Sequence, residues 1–413
     1  MLKKIAYITS QYPEFHETFV AREVEALRKT GTDVLIYSLK KPPPNGADLY
    51  PGHRSIVRNL PFFFSRRVLS SNLLEFAQRP QKFISSLVWL VKHYYKRPID
   101  LLKSLVVFPE TIAFAREIRR DNRVVHAHWA TIPTAMGIVI KKMTGTSLSI
   151  TAHAWDIFLS PPELLKEKIA LSNGVVTCTG YNVKYLKNIC IPEDKDKIWL
   201  NYHGLDFSVF ENLPSNSLND GTLKIVAVGR LVEQKGFIYL IRSLFELGKK
   251  DIPVSLTIIG DGPLEHELKN EAKGLPKGVS IHFVGRVAHM ETLRTMANSD
   301  VMVAPSVVAA DGDRDGIPNV VIEAMACGLP IVASNVSGIP EIVINNETGF
   351  LIEPSNPEAL AEAFMKIFSD RENATKMGAV GREMMRERFD VNKNIQEFLG
   401  LLEIFHQSKS SIV

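Results

Sequence analysis

Residues 311–330 read Asp-Gly-Asp-Arg-Asp-Gly-Ile-Pro-Asn-Val-Val-Ile-Glu-Ala-Met-Ala-Cys-Gly-Leu-Pro. They are the chain's densest group of residues able to bind an anionic, hydroxyl-rich ligand. The pattern is a Gly-rich acidic loop, then a helix from about Pro318 to Cys327, then Gly328 as a stop. Proline suits a first helical turn, where its missing N–H costs nothing. The free amides of that turn make an anion site suited to a diphosphate. Glu323, about one and a half turns in, can accept hydrogen bonds from a ribose diol. The same composition also suits a plain turn before a solvated helix. Its position after a strand favours the ligand loop.

A second element, Val228-Gly229-Arg230-Leu-Val-Glu-Gln-Lys235-Gly236, ends a strand with two cations five residues apart. Arginine offers phosphate a bidentate fork and lysine a mobile point charge. Gly260-Asp-Gly-Pro263 is a turn signature. In the first half, Thr151-Ala-His153-Ala-Trp-Asp-Ile-Phe158 puts His153 just past a strand, at its carboxyl edge. His126-Ala-His128-Trp129 has i, i+2 histidines on one strand face, a spacing that invites a metal. With no carboxylate or cysteine close in sequence, a metal is not expected there. Asn201-Tyr-His203-Gly-Leu-Asp206 is a further turn near the same edge.

These residues need rigid supports, and the hydrophobic pattern supplies two sets. Ile5–Ile8, a helical stretch Glu17–Thr30 closed by Gly31, and Val34–Tyr37 spell strand, helix, strand. That is the grammar of a parallel sheet with a right-handed crossover. Residues 66–120 read as helical, with strands resuming at 124–127, 148–151 and 174–178. A polar spacer, 211–221, precedes a second run of the same grammar: strands at 223–228, 254–259, 280–284, 301–304 and 331–333, with helical stretches between. The expected architecture is α/β, two Rossmann-like doubly wound domains facing a cleft. They span 1–210 and 222–390, with a last helix in 391–413 packing back on the first. Such sheets bind ligands outside the carboxyl ends of their strands.

Composition sets the limits. At 413 residues, 45% hydrophobic and 23% charged, the chain has the profile of a two-domain globular protein. Three scattered cysteines argue for a reducing compartment. No apolar run reaches the roughly 18 residues that span a bilayer, and no cleavage site follows the N-terminus. A cytoplasmic protein is expected. Residues 1–210 carry 29 Lys+Arg against 18 Asp+Glu, and the remainder 20 against 27. A basic first half suits an anionic partner on one side. Arg54, Arg58, Phe62–Phe64, Arg66-Arg67 and Lys92–Arg97 mix cations with aromatics, which suggests peripheral contact with an anionic membrane at the inner face of the plasma membrane.

Together the motifs resemble glycosyltransferase family 4, a large retaining family with the two-Rossmann-domain GT-B fold. The likeness rests on Gly229–Gly236, Gly260–Pro263, Gly285-Arg286, Asp311–Pro330, Gly338-Ile-Pro-Glu341 and Gly349–Ile352. In the first half it rests on Tyr12-Pro13 with Glu17-Thr18-Phe19, on His126–Trp129 and on Thr151–Phe158. That set is similar to bacterial colanic-acid and amylovoran-type exopolysaccharide enzymes. The resemblance implies hexosyl transfer from a nucleotide sugar to a glycan or lipid-linked acceptor. It implies Arg230 and Lys235 on the donor diphosphate, Glu323 on the ribose, His153 on the donor sugar and Asp315 on its hydroxyls. Gly229, Arg286, Gly316, Ile317, Pro318 and Asn319 complete the donor-binding set. The family's first glutamate is here Asp315, one methylene shorter. Neither a cofactor nor a metal is implied, although Asp311-Gly-Asp313 has the form of a metal-binding DxD.

Two other classes compete. A non-catalytic nucleotide-sugar-binding protein would share the same residues. An NAD-dependent oxidoreductase fails for want of GxGxxG after the first strand, where Ser10-Gln-Tyr-Pro stands. No nucleic-acid-binding module is present.

Overall fold

The computed structural model describes residues 4–14, 18–42, 50–59, 65–211, 213 and 221–407. Glu17, Phe62–Phe64 and most of the spacer 211–221 lie outside them. The chain divides into two compact units. The first holds residues 1–178, 183–204 and 391–413; the second holds 179–182 and 205–390.

The first unit is built on a seven-stranded parallel sheet. Its strands are β1 (Lys4–Thr9), β2 (Asp33–Ser38), β3 (Val57–Arg58), β4 (Val124–His128), β5 (Leu148–Ala152), β6 (Gly174–Thr177) and β7 (Ile198–Leu200), in the order β3-β2-β1-β4-β5-β6-β7. β4, β5 and β6 are buried at every position, as strands covered by helices on both faces must be. The helices are α1 (Thr18–Lys29), α2 (Arg66–Gln78), α3 (Pro80–Tyr94), α4 (Pro98–Asp121), α5 (Ile132–Thr144), α6 (Trp155–Phe158), α7 (Pro162–Leu171) and, from Val183 on, α8 (Gly180–Ile189). α1 buries Phe19, Val20, Val24 and Leu27 at helical spacing. β3 and β7 are two and three residues long, too short to leave a period in the sequence.

The second unit has a six-stranded parallel sheet. It comprises β8 (Leu223–Val228), β9 (Val254–Ile259), β10 (Val279–Gly285), β11 (Val301–Ala304), β12 (Ile331–Ser334) and β13 (Gly349–Ile352), ordered β10-β9-β8-β11-β12-β13. Its helices are α9 (Phe237–Gly248), α10 (Glu265–Glu271), α11 (His289–Ala297), α12 (Asn319–Ala326), α13 (Pro357–Ser369) and α14 (Arg371–Arg388). Each order steps outward and then reverses at the first strand, which sets a switch point beside β1/β4 and β8/β11. The final helix, α15 (Val391–Gln407), belongs to the first unit. Phe398, Leu402 and Phe405 share a core with Phe19, Val20 and Val24 of α1. Gly174 leaves the space its ring neighbour Phe405 fills.

Candidate functional site

In the second unit, β8 delivers Gly229 and Arg230 to the switch point. Lys235 follows in a short 3-10 turn closed by Gly236, whose φ is +64°. A side chain at Gly236 would strike the Pro305 carbonyl, so only glycine lets this turn lie against the strand-end loop after β11. That loop is tied to the turn by a ladder of bonds. The Val307 amide donates to the Gln234 carbonyl at 2.9 Å, and Gln234 Nε2 donates to Asp313 Oδ2 at 2.8 Å. Lys235 Nζ reaches Asp315 Oδ1 and Oδ2 at 2.8 and 3.0 Å, while Ser306 Oγ donates to Oδ2 at 2.8 Å.

Two residues given separate tasks by the resemblance therefore form an ion pair, and both are largely shielded from solvent. Arg230 is exposed, and among the described residues it makes no ion pair. Burial pushes Asp313 above the usual carboxylate range, helped by Asp311 and Asp315 and opposed by the Arg314 amide. Asp311 Oδ1 accepts from the Asp313 amide at 2.9 Å, so both carboxylates of the DxD pattern are bonded within their own loop.

α12 begins at Asn319, with Pro318 at the N-cap and no side chain capping its first amides. The helix is one residue shorter at each end than its sequence pattern implied. Glu323 is buried on it, and His289 Nε2 of α11 stands 3.1 Å from Glu323 Oε1. His289 is a partner that sequence spacing could not find, since it lies 34 residues away and inside an unremarkable helix start. Arg286 is exposed and donates to Asp261 of the Gly260–Pro263 turn at 2.8 Å.

The first unit places His153 beyond β5, buried and held by its backbone. Its amide donates to Asp156 Oδ1 at 2.9 Å, and Asp156 Oδ2 takes the Ala130 amide at 2.6 Å. Burial lifts Asp156 to about 6 against the pull of those amides, and lowers Lys168, which donates to the Ala130 carbonyl, to about 7. Both ring nitrogens of His153 face other imidazoles: Nε2 stands 2.8 Å from His128 Nε2, and Nδ1 stands 3.1 Å from His203 Nε2. Phe19 packs against all three rings.

One expectation is corrected here. His126 and His128 do have a carboxylate beside them, Glu23 of α1, whose ligand atom lies within 4.8 Å of theirs. Sequence hid it because α1 precedes β4 by a hundred residues and the crossover folds it back. His126 is nevertheless satisfied elsewhere, by Ser149 Oγ at 2.8 Å and Thr151 Oγ1 at 3.0 Å. Cys178 likewise comes together with His153 and His203. Among the described residues neither convergent group includes Asp311 or Asp313.

Comparison with known proteins places this geometry. Residues 209–384 match the family model of glycosyl transferases group 1. Over 97% of its length the chain is 31% identical to the amylovoran biosynthesis glycosyltransferase AmsK of Erwinia amylovora, covering 99% of that protein. It is 30% identical to the putative colanic acid biosynthesis glycosyltransferase WcaL of Escherichia coli K12, over 51% of this chain and 52% of that one. Among solved structures, Anabaena HepE in complex with UDP and glucose superposes with a TM-score of 0.70 at 18% identity, covering 98% of this chain and all of the other.

Proposed function

The chain belongs to the group 1 glycosyl transferases, and from that premise we propose retaining transfer of a hexose from a nucleotide diphosphate sugar to a glycan or lipid-linked acceptor of a cell-surface polysaccharide. Membership of that family sets aside the non-catalytic alternative and the oxidoreductase. The pathway reading is supported by the near full-length likeness to an amylovoran enzyme. The donor reading is supported by a structural relative solved with UDP and glucose.

The observation that carries the reading is the ion pair of Lys235 and Asp315 beside exposed Arg230. An ammonium has three donors. With Asp315 holding two of its directions, the third is free to meet a phosphate oxygen as the diphosphate departs. Arg230 adds a fork, and the uncapped amides of α12 add partial positive charge. These donors are in place before reaction, which makes them effective against charge developing in the transition state. Transfer on this route needs no divalent cation. A buried Glu323 steadied by His289 suits the ribose diol, and Asp315 suits sugar hydroxyls. Front-face attack by the acceptor hydroxyl fits the lack of a free carboxylate nucleophile in this pattern.

Release of nucleoside diphosphate from UDP-, GDP- and ADP-sugars, with and without a lipid-linked acceptor, tests the function. Acceptor-stimulated release from one donor class is the expected result; release from none overturns it.

The acceptor's place is argued from α2, α3 and α4. Each carries an apolar stripe facing solvent: Leu69 and Leu73 on α2, Ile84, Val88 and Val91 on α3, Ile99, Leu102 and Val106 on α4, all at least 45% exposed. Residues 65–106 hold eight Lys+Arg and two Asp+Glu. Both acids are matched, Glu75 by Arg79 and Arg119, and Asp100 by Arg97. Arg58 and Arg67 of the basic and aromatic patch pair with Glu117, so the apolar stripes, with Lys92 and Lys96 of that patch beside them, make the proposed membrane-facing surface. No described helix is long and apolar enough to cross a membrane. Each exposed cation near an anionic leaflet contributes about 1 kcal/mol. Co-sedimentation with anionic but not neutral vesicles, lost in Val88→Glu/Leu102→Glu, is the expected outcome; retention by that variant removes the surface.

A further inference from the structure

A row of five side chains runs through the first unit from its interior to His203. Tyr7 Oη donates to Glu23 Oε1 at 2.7 Å. His128 Nδ1 lies 3.9 Å from that same oxygen and is otherwise buried without a partner. His128 Nε2 meets His153 Nε2 at 2.8 Å, and His153 Nδ1 meets His203 Nε2 at 3.1 Å. All three imidazoles are held neutral: burial pushes each below its ordinary value, with neighbouring imidazoles adding to the effect at His128 and His153 and the Arg22 guanidinium adding to it at His203.

A neutral imidazole has one N–H and one bare nitrogen. At each nitrogen–nitrogen contact one ring must donate and the other accept. The row therefore has two arrangements. In the first, His128 turns its Nδ1–H toward Glu23. His153 then donates from Nε2 to His128, His203 donates from Nε2 to His153, and His203 Nδ1 is left as an acceptor. In the second, every proton sits on the other nitrogen: His128 donates from Nε2, His153 donates from Nδ1, and His203 Nδ1 becomes a donor. The second arrangement points a bare nitrogen at Glu23, which a carboxylate opposes and a carboxylic acid welcomes.

We infer that Glu23 is a positioning residue whose charge selects the tautomer of His153 and the hydrogen-bonding sense of His203. The inference rests on the proposed placement of His153 at the donor sugar. An ionised Glu23 yields an acceptor at the end of the row, suited to a sugar hydroxyl; a protonated one yields a donor, suited to an oxyanion. Burial lifts Glu23 to about 7, with the Tyr7 hydrogen bond pulling the other way, so both states are within reach near neutrality. The titratable groups facing Glu23 are Tyr7 of β1 and His126 and His128 of β4, with Tyr12 raising Tyr7 and Arg22 lowering His203. His126 is bonded to Ser149 and Thr151 and stays outside the row.

The test uses full-length protein labelled with ¹⁵N histidine, read by long-range proton–nitrogen correlation at about pH 6 and about pH 9, either side of that value. His153 is expected to be protonated on Nε2 at high pH and on Nδ1 at low pH. Glu23→Gln should abolish the change. Tyr7→Phe, a milder core substitution, removes a bond that lowers Glu23, so the midpoint should rise. A single His153 tautomer at both pH values in the unaltered protein overturns the inference, as does a switch that survives Glu23→Gln.

Kinetics separate this from the sugar reading. Glu23→Gln should lower kcat at least about tenfold with donor KM little changed, well short of the roughly 10⁴-fold cost of a wrong tautomer at a catalytic base. A tautomer switch that is present and Glu23-dependent while kcat does not move upholds the row and overturns the placement of His153 at the sugar.

Discussion

The two units solve the placement of polar groups at a strand edge in opposite ways. In the first, His128, His153 and His203 are kept neutral in an aromatic setting and satisfy one another ring to ring. In the second, Lys235 and Asp315 keep full charges and satisfy each other as ions, with Arg230 left exposed. Neutral groups packed against Phe19 suit recognition of a sugar's hydroxyls and carbon faces. Matched ions suit a polyanion that can take over one partner. The difference also separates what perturbs each site: acid acts on the first and loss of a single charge on the second.

The largest effect should come from Lys235→Ala. Removing one preorganised donor to a developing charge typically costs about 10²–10³ in turnover. Steady-state kinetics with the best donor checks it, and a loss under about fivefold would break the charged half of the comparison.

Acid should break the other half. Folded His126, His128, His153 and His203 lie below their ordinary value, His126 and His203 at about 3. Unfolded, they take up protons near the ordinary histidine value of 6.5. Below that pH the unfolded state therefore binds more protons, and stability falls as pH falls. Glu23 and Asp156 are raised, to about 7 and about 6, and act in the opposite sense, gaining stability as pH drops. Four against two leaves a net of two protons, or about 2.7 kcal/mol lost per pH unit near pH 5.5. Calorimetry from pH 7 to pH 5 should show the first unit's transition moving down while the second's stays.

A smaller effect is expected at Asp315. A longer side chain at this place must push the Lys235 ammonium or the sugar aside, and small misplacements cost up to about 10²-fold. Asp315→Glu should thus reduce turnover, even though it supplies the residue usual at this point of the motif. Asp315→Ala should also cost stability, because Lys235 and Ser306 lose their shared acceptor. Turnover by Asp315→Glu equal to that of the unaltered protein would show that the pair tolerates length. The smallest expected effect is that of a chelator. Donor turnover should be unchanged in EDTA; loss restored by Mg²⁺ or Mn²⁺ would move charge neutralisation from Lys235 to Asp311 and Asp313.

Much of this was readable in the sequence. The alternation of buried strands with helices survives in the pattern because parallel strands are apolar throughout, and Gly236, Pro318 and Gly328 mark their turns. The second unit's site was legible because its members lie on three short loops near one switch point. The first unit's was legible only in part: His153, His128 and the turn with His203 stood out, and Glu23 did not. Glu23, His128 and His203 come from three separate parts of the chain, and only the crossover that lays α1 beside β4 brings the carboxylate to the imidazoles. The Lys235–Asp315 pair was missed for a related reason: each residue was read by its own motif, and neither motif records the distance between them. Exposed apolar stripes on α2–α4 escaped notice because a helix apolar on two sides looks like a buried one.

The second unit interrupts the first. It opens at Leu205 and closes at Asp390, residues joined by a parallel bridge, and the chain re-enters the first unit at Val391 against Gly204. During synthesis the sheet that carries His153 must therefore wait, with the bed for α15 uncovered, while residues 205–390 are made. Until Phe398, Leu402 and Phe405 emerge, the core they share with Phe19, Val20 and Val24 is covered by the sheet alone. A chain ending at residue 390 would carry a complete second unit and a first unit without α15, and the half-covered core around Phe19 and Val20 is what a chaperone would grip.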